Sequence, residues 1–481
     1  MENRKLSRRD FLRLSAAAAT GAIVAACAPA APQVVEVEKE VPVEKVVVQT
    51  VEVEKEVVVE KPVKAAGPVG LRLSAWGDIT DKMVYDSMAA KFLEVQPDIR
   101  VMVEQYPGGY YEKIQANFAG GNSADLLYFQ GWSWQPFADK EQLVPLDEYI
   151  QTDNFTKAWP DIENYRHNCM WHGKTYMSSV DTGSVVMFYN KELFDKRGVP
   201  YPEEGWSYAD FQEAVAKLSF EEGGIKYYGY AQAGGWNGCY LRSLHWMRKD
   251  GVLEWDRIVE PKEAKFTQPE IIEGLQYTIY EVIDKEYCPS PAAIAGGGIT
   301  IATGRVGMTM EGPWFLANMY GEKAAVEGGV RFDVAEPPLG DTGKDETIAE
   351  VHGHVITRQS KIPDAAWELM KFMCDDEGQK MIAEGGRMCN RPETIEKYWV
   401  PIATETYNFE NGMAFGNAMK TGLNPIFSGA GCNYDAIAGA GTPLAVAWDA
   451  MLGVQKTAKE AMEEANPKLQ KILDDYWAKK G

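Results

Sequence analysis

The stretch Gly173–Glu192, GKTYMSSVDTGSVVMFYNKE, decides how this chain is divided. Its first half holds small and polar residues: Ser178, Ser179, Asp181, Thr182 and Ser184. Val185, Val186, Met187 and Phe188 then form an apolar, strand-like run, and Tyr189-Asn190-Lys191 opens a helix. One strand with a polar half and an apolar half, set between two regions of mixed strand and helix, reads as a segment crossing from one lobe to another beneath a cleft. An ordinary buried strand is the plainer reading of the same residues.

The region before this stretch gives it one neighbour. Leu71–Trp76 alternates as a strand. Thr80–Gln96 has helical apolar spacing (Met83, Tyr85, Met88, Phe92) and stops ahead of Pro97. Ile99–Glu104 is a strand, Tyr110–Ala119 a helix closed by Gly120-Gly121, and Ala124–Phe129 a buried strand. This βαβαβ order predicts a parallel sheet with helices on both faces, whose ligands lie beyond the carboxyl ends of the strands. Trp76-Gly77-Asp78, Tyr106-Pro107-Gly108 and Gln130-Gly131-Trp132-Ser133-Trp134 stand at those ends. Trp76 is expected to matter to folding at least as much as to binding.

The region after it gives the other. Ser207 with Asp210 marks a helix start continued by Phe211–Leu218, and Tyr227–Ala231 is a strand. Gly234–Gly238 is a loop carrying Trp236 and Asn237, and Tyr240–Arg248 a helix. Thr267-Gln268-Pro269-Glu270 reads as a capping box opening a helix to Asp284. Arg305–Met310 is a strand running into Glu311-Gly312-Pro313-Trp314, and Phe315–Tyr320 begins a helix. Val351–Thr357 is a strand, Asp364–Glu384 one long helix, and Pro443–Ala465 and Lys468–Ala478 close the chain as helices.

The N-terminus reads as an address rather than as structure. Ser7-Arg8-Arg9-Asp10-Phe11-Leu12 carries a twin-arginine pattern, Leu14–Ala26 is a short apolar run, and Val24-Ala25-Ala26-Cys27 has lipobox form with Cys27 as the lipidated residue. Residues 1–27 are thus expected to direct export and leave a lipid anchor. Ala28–Pro68 repeats EVEKEVPVEK (Glu36–Lys45) as EVEKEVVVEK (Glu52–Lys61), a charged composition that cannot build a core. It is expected to be an extended tether, with roughly 35 Å r.m.s. reach as a flexible coil.

A net charge of −21 offers no basic stripe for nucleic acid. Six further cysteines, Cys169, Cys239, Cys288, Cys374, Cys389 and Cys432, contain no CxxC pair; an exported chain can hold disulfides, and spacing leaves their connectivity open.

With these elements in order, the chain resembles the extracytoplasmic solute-binding proteins of ABC transporters, in the sugar-binding family that includes maltose-binding protein. The resemblance runs from about Val69 to Gly481. It rests on Ala124-Asp125-Leu126-Leu127, Ser184–Val199 (SVVMFYNKELFDKRGV) before Trp206, Glu311-Gly312-Pro313-Trp314, and the block beginning HGHVITRQSKIPDAAWELMKFMCDDEG at His352, with Pro443–Glu464 similar to the family's C-terminal helices. It implies an α/β, two-lobe periplasmic-binding-protein-like fold with a ligand cleft between lobes and three crossing segments. Lobe I would be 69–186 plus 357–387, and lobe II 187–356 plus 388–481. The crossings would fall near Val185–Tyr189, Val355–Arg358 and Arg387–Thr394. It further implies a monomer on the cell surface or in the periplasm that needs no cofactor, takes a carbohydrate and passes it to permease subunits.

Trp314 is the leading ligand-binding residue, because the family places a sugar-stacking tryptophan in this Gly-Pro-Trp turn. Trp132, Trp134, Trp236 with Asn237, and Trp448 are further aromatic or loop candidates. Asp78, Gln130, Asp181, Thr182, Glu311 and Arg387 are the polar ones, since they combine donors, acceptors and fixed charge beside the expected cleft. Each could instead cap a helix or fill a core. His352-Gly353-His354 puts two imidazoles on one strand face, but no third His or Cys lies nearby to complete a metal site. A secreted carbohydrate-active enzyme is the competing class, as is a binding protein for a polyol or other polar solute. No G-x-S-x-G, P-loop or HExxH pattern is present, and nothing pairs two carboxylates for glycoside hydrolysis.

Overall fold

The computed structural model describes residues 68–159, 162–232, 250–257, 260–295, 298–319, 329–343, 347–422 and 441–480. The signal segment with Cys27, the tether, Trp236 and Asn237, the helix expected at 240–248, Cys239 and Cys432 lie outside them. The strands in chain order are β1 (Val69–Trp76), β2 (Ile99–Tyr106), β3 (Leu126–Gln130), β4 (Met170–Trp171), β5 (Lys174–Thr175), β6 (Met177–Ser184), β7 (Val186–Asn190), β8 (Phe220–Glu222), β9 (Ile225–Ala231), β10 (Val306–Glu311), β11 (Phe332–Ala335), β12 (Ala349–Ile356) and β13 (Met388–Cys389).

Among the described residues two main sheets form. The first is six-stranded in the order β13-β6-β12-β3-β1-β2, and the second five-stranded in the order β11-β7-β10-β9-β8. β1 runs parallel to β2 and β3, as the βαβαβ order requires, so Trp76, Tyr106 and Gln130 end side by side. The helix Ile79–Val95 covers this sheet with Val84, Tyr85, Met88 and Phe92. These pack with Leu71, Leu73, Trp367 and Met370 in a first core. Leu193, Phe211, Val215, Leu275, Trp448 and Leu469 belong to a second core.

The crossing strand behaves as its composition predicts. β6 ends at Ser184 in the first sheet and β7 starts at Val186 in the second, so Val185 alone joins them. The returning chain lies against it: Val185 N donates to Ile348 O at 2.9 Å, and Thr347 Oγ1 donates to Val185 O at 2.8 Å. Two passages between the sheets therefore run together.

The return crossing falls earlier than expected. β12, read as ending lobe II with its crossing near Val355–Arg358, is wholly part of the first sheet between β3 and β6. The chain changes sheets between Ala335 and Ala349, which places 349–356 in the first sheet. Gly353 makes this pairing feasible, because a Cβ there would collide with the Ser178 carbonyl at the β12–β6 irregularity.

Several helix ends also differ. The helix opening at Pro269 has Gln268, not Thr267, as N-cap and no side-chain cap, and a π-helical segment (Gln276–Glu281) interrupts its course to Asp284. The expected long helix divides into Pro363–Cys374 and Asp376–Glu384, since Asp375 is extended. At the C-terminus the break falls at Gly453, and Pro467 is carried inside the helix Ala458–Lys480. Cys169, Cys288, Cys374 and Cys389 are free, buried thiols. Cys374 donates to Ser179 O at 3.1 Å and Cys389 to Gln379 O at 3.3 Å.

Candidate functional site

The strand ends of the first sheet and one turn of the second enclose a cavity of about 430 Å³. The first sheet supplies Trp76, Gln130, Asp181, Thr182, Glu350 and His352, while Asp81, Trp132 and Arg387 come from its flanking segments. The second sheet supplies Pro313 and Trp314.

Trp314 owes its position to the turn that carries it. β10 ends at Glu311, Gly312 is extended, and Pro313–Phe315 forms a short 3-10 turn that projects the indole from the sheet end. The residue is 46% exposed, unusual for tryptophan. Its Nε1 donates to Glu311 Oε2 at 3.0 Å, which fixes its orientation. Its edge lies on Gly183 of β6, where a Cβ would stand 2.8 Å from Cζ3. A side chain at 183 would push the indole off the first sheet.

Beneath the aromatic wall runs a line of alternating charge. Arg387 donates through Nε (2.9 Å) and Nη2 (2.6 Å) to Asp81 Oδ1, and through Nη1 to Asp181 Oδ2 (2.5 Å). Asp181 Oδ1 meets His352 Nδ1 at 2.8 Å, and His352 Nε2 meets Glu350 Oε2 at 3.1 Å. Tyr128 OH donates to Asp181 Oδ1 at 3.2 Å. The β6–β12 register sets His352 directly opposite Asp181.

These partners reverse what burial would do. Burial pushes the Asp181 carboxyl up, but the Arg387 charge and the His352 hydrogen bond outweigh it and hold the group at about 2. Burial pushes the His352 imidazole down, yet its hydrogen bonds to Asp181 and Glu350 raise it to about 9. His352 is thus a cation at neutral pH. His354 lacks such partners: burial lowers it to about 3, and Tyr85 and Tyr128 approach it edge-on. The two imidazoles of the HGH motif have separate surroundings and do not converge.

Of the residues named from sequence, Trp314, Trp132, Gln130, Asp181, Thr182 and Arg387 line the cavity. Trp134 does not. It is fully buried, its Nε1 donating to Asn168 O at 2.8 Å, because the chain turns into a helix at Gln135 and so loses the alternation of a strand. Trp448 is fully buried in the second core. Asp78 caps the helix Ile79–Val95, accepting from Thr80 N at 2.7 Å, and it is Asp81 that faces the cavity. Glu311 acts behind the wall by holding Trp314.

Sequence reasoning missed Asp81, Glu350 and His352, and it undervalued Trp76, which is 44% exposed and lines the cavity. Glu350 and His352 share a strand face at i, i+2, a signal visible in the sequence once β12 is assigned to the first sheet.

The sequence profile of bacterial extracellular solute-binding proteins matches residues 87–394. The chain belongs to that family. A binding protein of Brucella abortus (strain 2308) is 24% identical over 330 residues, 66% of this chain and 75% of that one. The maltotriose-binding protein of Pyrococcus abyssi (strain GE5 / Orsay) is 24% identical over 333 residues, covering 68% of this chain and 64% of its own. In structure, this member of the family is similar to an ABC substrate-binding protein from Listeria monocytogenes solved with cycloalternan. The TM-score is 0.68 at 21% identity, over 85% of this chain and 99% of that one. The fold is accordingly the two-lobe periplasmic-binding-protein-like α/β architecture.

Proposed function

We propose that this protein is the substrate-binding component of an ABC transporter and captures a carbohydrate in the cavity between its two sheets. The observation that carries the reading is Trp314. Half-exposed and pinned by Glu311 above a ladder of hydrogen-bonding groups, it offers a flat apolar face for the C–H side of a sugar ring. The maltotriose and cycloalternan bound by similar proteins support the same ligand class.

The lobes are best assigned as 69–184 with 349–390, and 186–335 with the C-terminal helices. Closure would turn about the paired passages at Val185 and Thr347–Ile348. Ligand touching Trp314 on one side and the charged ladder on the other would favour the closed form by its differential affinity. We further infer that the twin-arginine segment exports the chain, that Cys27 anchors it by lipid, and that the charged tether holds the body clear of the membrane for delivery to a permease.

Binding without turnover fits the cavity chemistry better than hydrolysis. A glycosidase needs one carboxylic acid with a raised pKa and a second free carboxylate. Here Asp181 is pushed down, and Asp81, Asp181 and Glu350 are each engaged by a cation. Tryptophan-fluorescence titration against neutral oligosaccharides, with chromatography of the same samples, tests the reading. Stoichiometric saturation with sugar recovered intact is expected, whereas release of reducing ends would overturn it.

A further inference from the structure

Glu350 is a charged group whose binding capacity the protein leaves half used. It lies on β12, is only 6% exposed, and lines the cavity. Its Oε2 meets His352, while its Oε1 has no partner among the described residues. The neighbouring carboxylates are spent. Asp181 takes Arg387, His352 and Tyr128, and Asp81 takes Arg387 through Oδ1 and the Asp78 amide through Oδ2. Glu350 Oε1 faces the cavity, so it is free to accept hydrogen bonds from whatever fills it.

Its position says from which part of the ligand. The partner of Glu350 across the β12–β6 ladder is Gly183, the residue over which the Trp314 ring lies. Directly opposed residues in an antiparallel pair are about 5 Å apart. The carboxylate therefore flanks the edge of the aromatic platform. A ring stacked on the indole turns its equatorial hydroxyls outward along that edge. His352, held by Asp181 through Nδ1, keeps the carboxylate in place from the other side.

The cavity also disfavours negative charge. Its two cations among the described residues, Arg387 and His352, are already directed at three carboxylates, Asp81, Asp181 and Glu350. We propose that Glu350 is the specificity-determining contact of this site, accepting hydroxyl hydrogens at the edge of a neutral, hydroxyl-rich ring stacked on Trp314 and turning away phosphorylated or carboxylated analogues. The proposal rests on the carbohydrate reading above and is separable from it.

The test is isothermal titration of the full chain with neutral mono- to tetrasaccharides, a sugar phosphate and a uronic acid. Wild type, Glu350→Gln and Glu350→Asp are compared, and the melting temperature of each unliganded protein controls for folding. Wild type is expected to saturate with a neutral member and to reject the anionic ones. Glu350→Gln should lose roughly 10- to 100-fold in that affinity, the size expected for hydrogen bonds to a charged acceptor. Glu350→Asp keeps the charge and withdraws it by one methylene, so it should lose affinity yet still reject anions. A Glu350→Gln affinity within twofold of wild type overturns the proposal and leaves the carbohydrate reading standing. Saturation by the anionic members alone also overturns it. Saturation by none of the panel overturns the carbohydrate reading and the proposal with it.

Discussion

His352 and His354 stand two residues apart on β12 and end in opposite electrostatic states. His352 lines the cavity, is held between Asp181 and Glu350, and is raised to about 9. His354 lies in the core between Tyr85 and Tyr128, its Nε2 has no hydrogen-bond partner, and it is lowered to about 3. Strand position and residue type are nearly the same. Aromatic rings approach both imidazoles edge-on; what differs is that carboxylates hydrogen-bond His352. The cleft is thus a place where burial strengthens charge pairing, a few ångströms from a core where burial removes charge.

Together the two rings should bracket the pH of greatest stability. An unfolded histidine titrates near 6.5. The folded state of His352 binds its proton more tightly than the unfolded state, so its contribution is complete below about 6.5 and is lost as pH rises through about 9. His354 resists protonation when folded, so its contribution is complete above about 6.5 and is lost as pH falls toward about 3.

The largest expected effect comes from removing the group that separates the two. Asp181→Asn leaves Arg387 and His352 short of an anion, and it should cost about 3–5 kcal/mol in urea unfolding at pH 7. It should also make His352 titrate more like His354, which NMR of the imidazole protons would show. Next, His354→Leu removes a buried imidazole nitrogen that lacks a partner, and with it the His354 share of the acid limb. At pH 4 it should be more stable than wild type by on the order of 2 kcal/mol, with a smaller difference at pH 7. His352→Gln should do the converse, flattening the decline between about 6.5 and 9 by roughly 1–3 kcal/mol in a pH series of unfolding curves. An unchanged alkaline limb in that variant would mean that the charge on His352 is not what the cleft stabilises. The smallest effect belongs to a histidine outside both environments. His172 pairs with Glu260 at 2.6 Å but is about half exposed, so His172→Ala should change stability by less than about 1 kcal/mol.

The same contrast explains what could be read from the sequence. The crossing at Val185 and the projection of Trp314 were legible because each is written in a few adjacent residues: a polar-to-apolar switch, and Gly-Pro after a strand. The placement of β12 was not, because it depends on pairing with β3 and β6, both remote in sequence. That one misplacement hid Glu350 and His352 from the cleft. The sequence does not separate Trp132 from Trp134, because an i, i+2 pair in a loop carries no fixed facing, and the helix start at Gln135 turns the second one inward. Asp78 and Asp81 share a capping box, and their sequence does not tell which of the two faces the cavity.

The central claim is that a sugar is bound against Trp314 in the cavity between the sheets. Isothermal titration of wild type and Trp314→Ala with the same neutral oligosaccharide, at matched melting temperature, tests it most directly. The account predicts one site per chain in wild type and at least a tenfold loss of affinity in the variant. Equal affinity in the two proteins would contradict it.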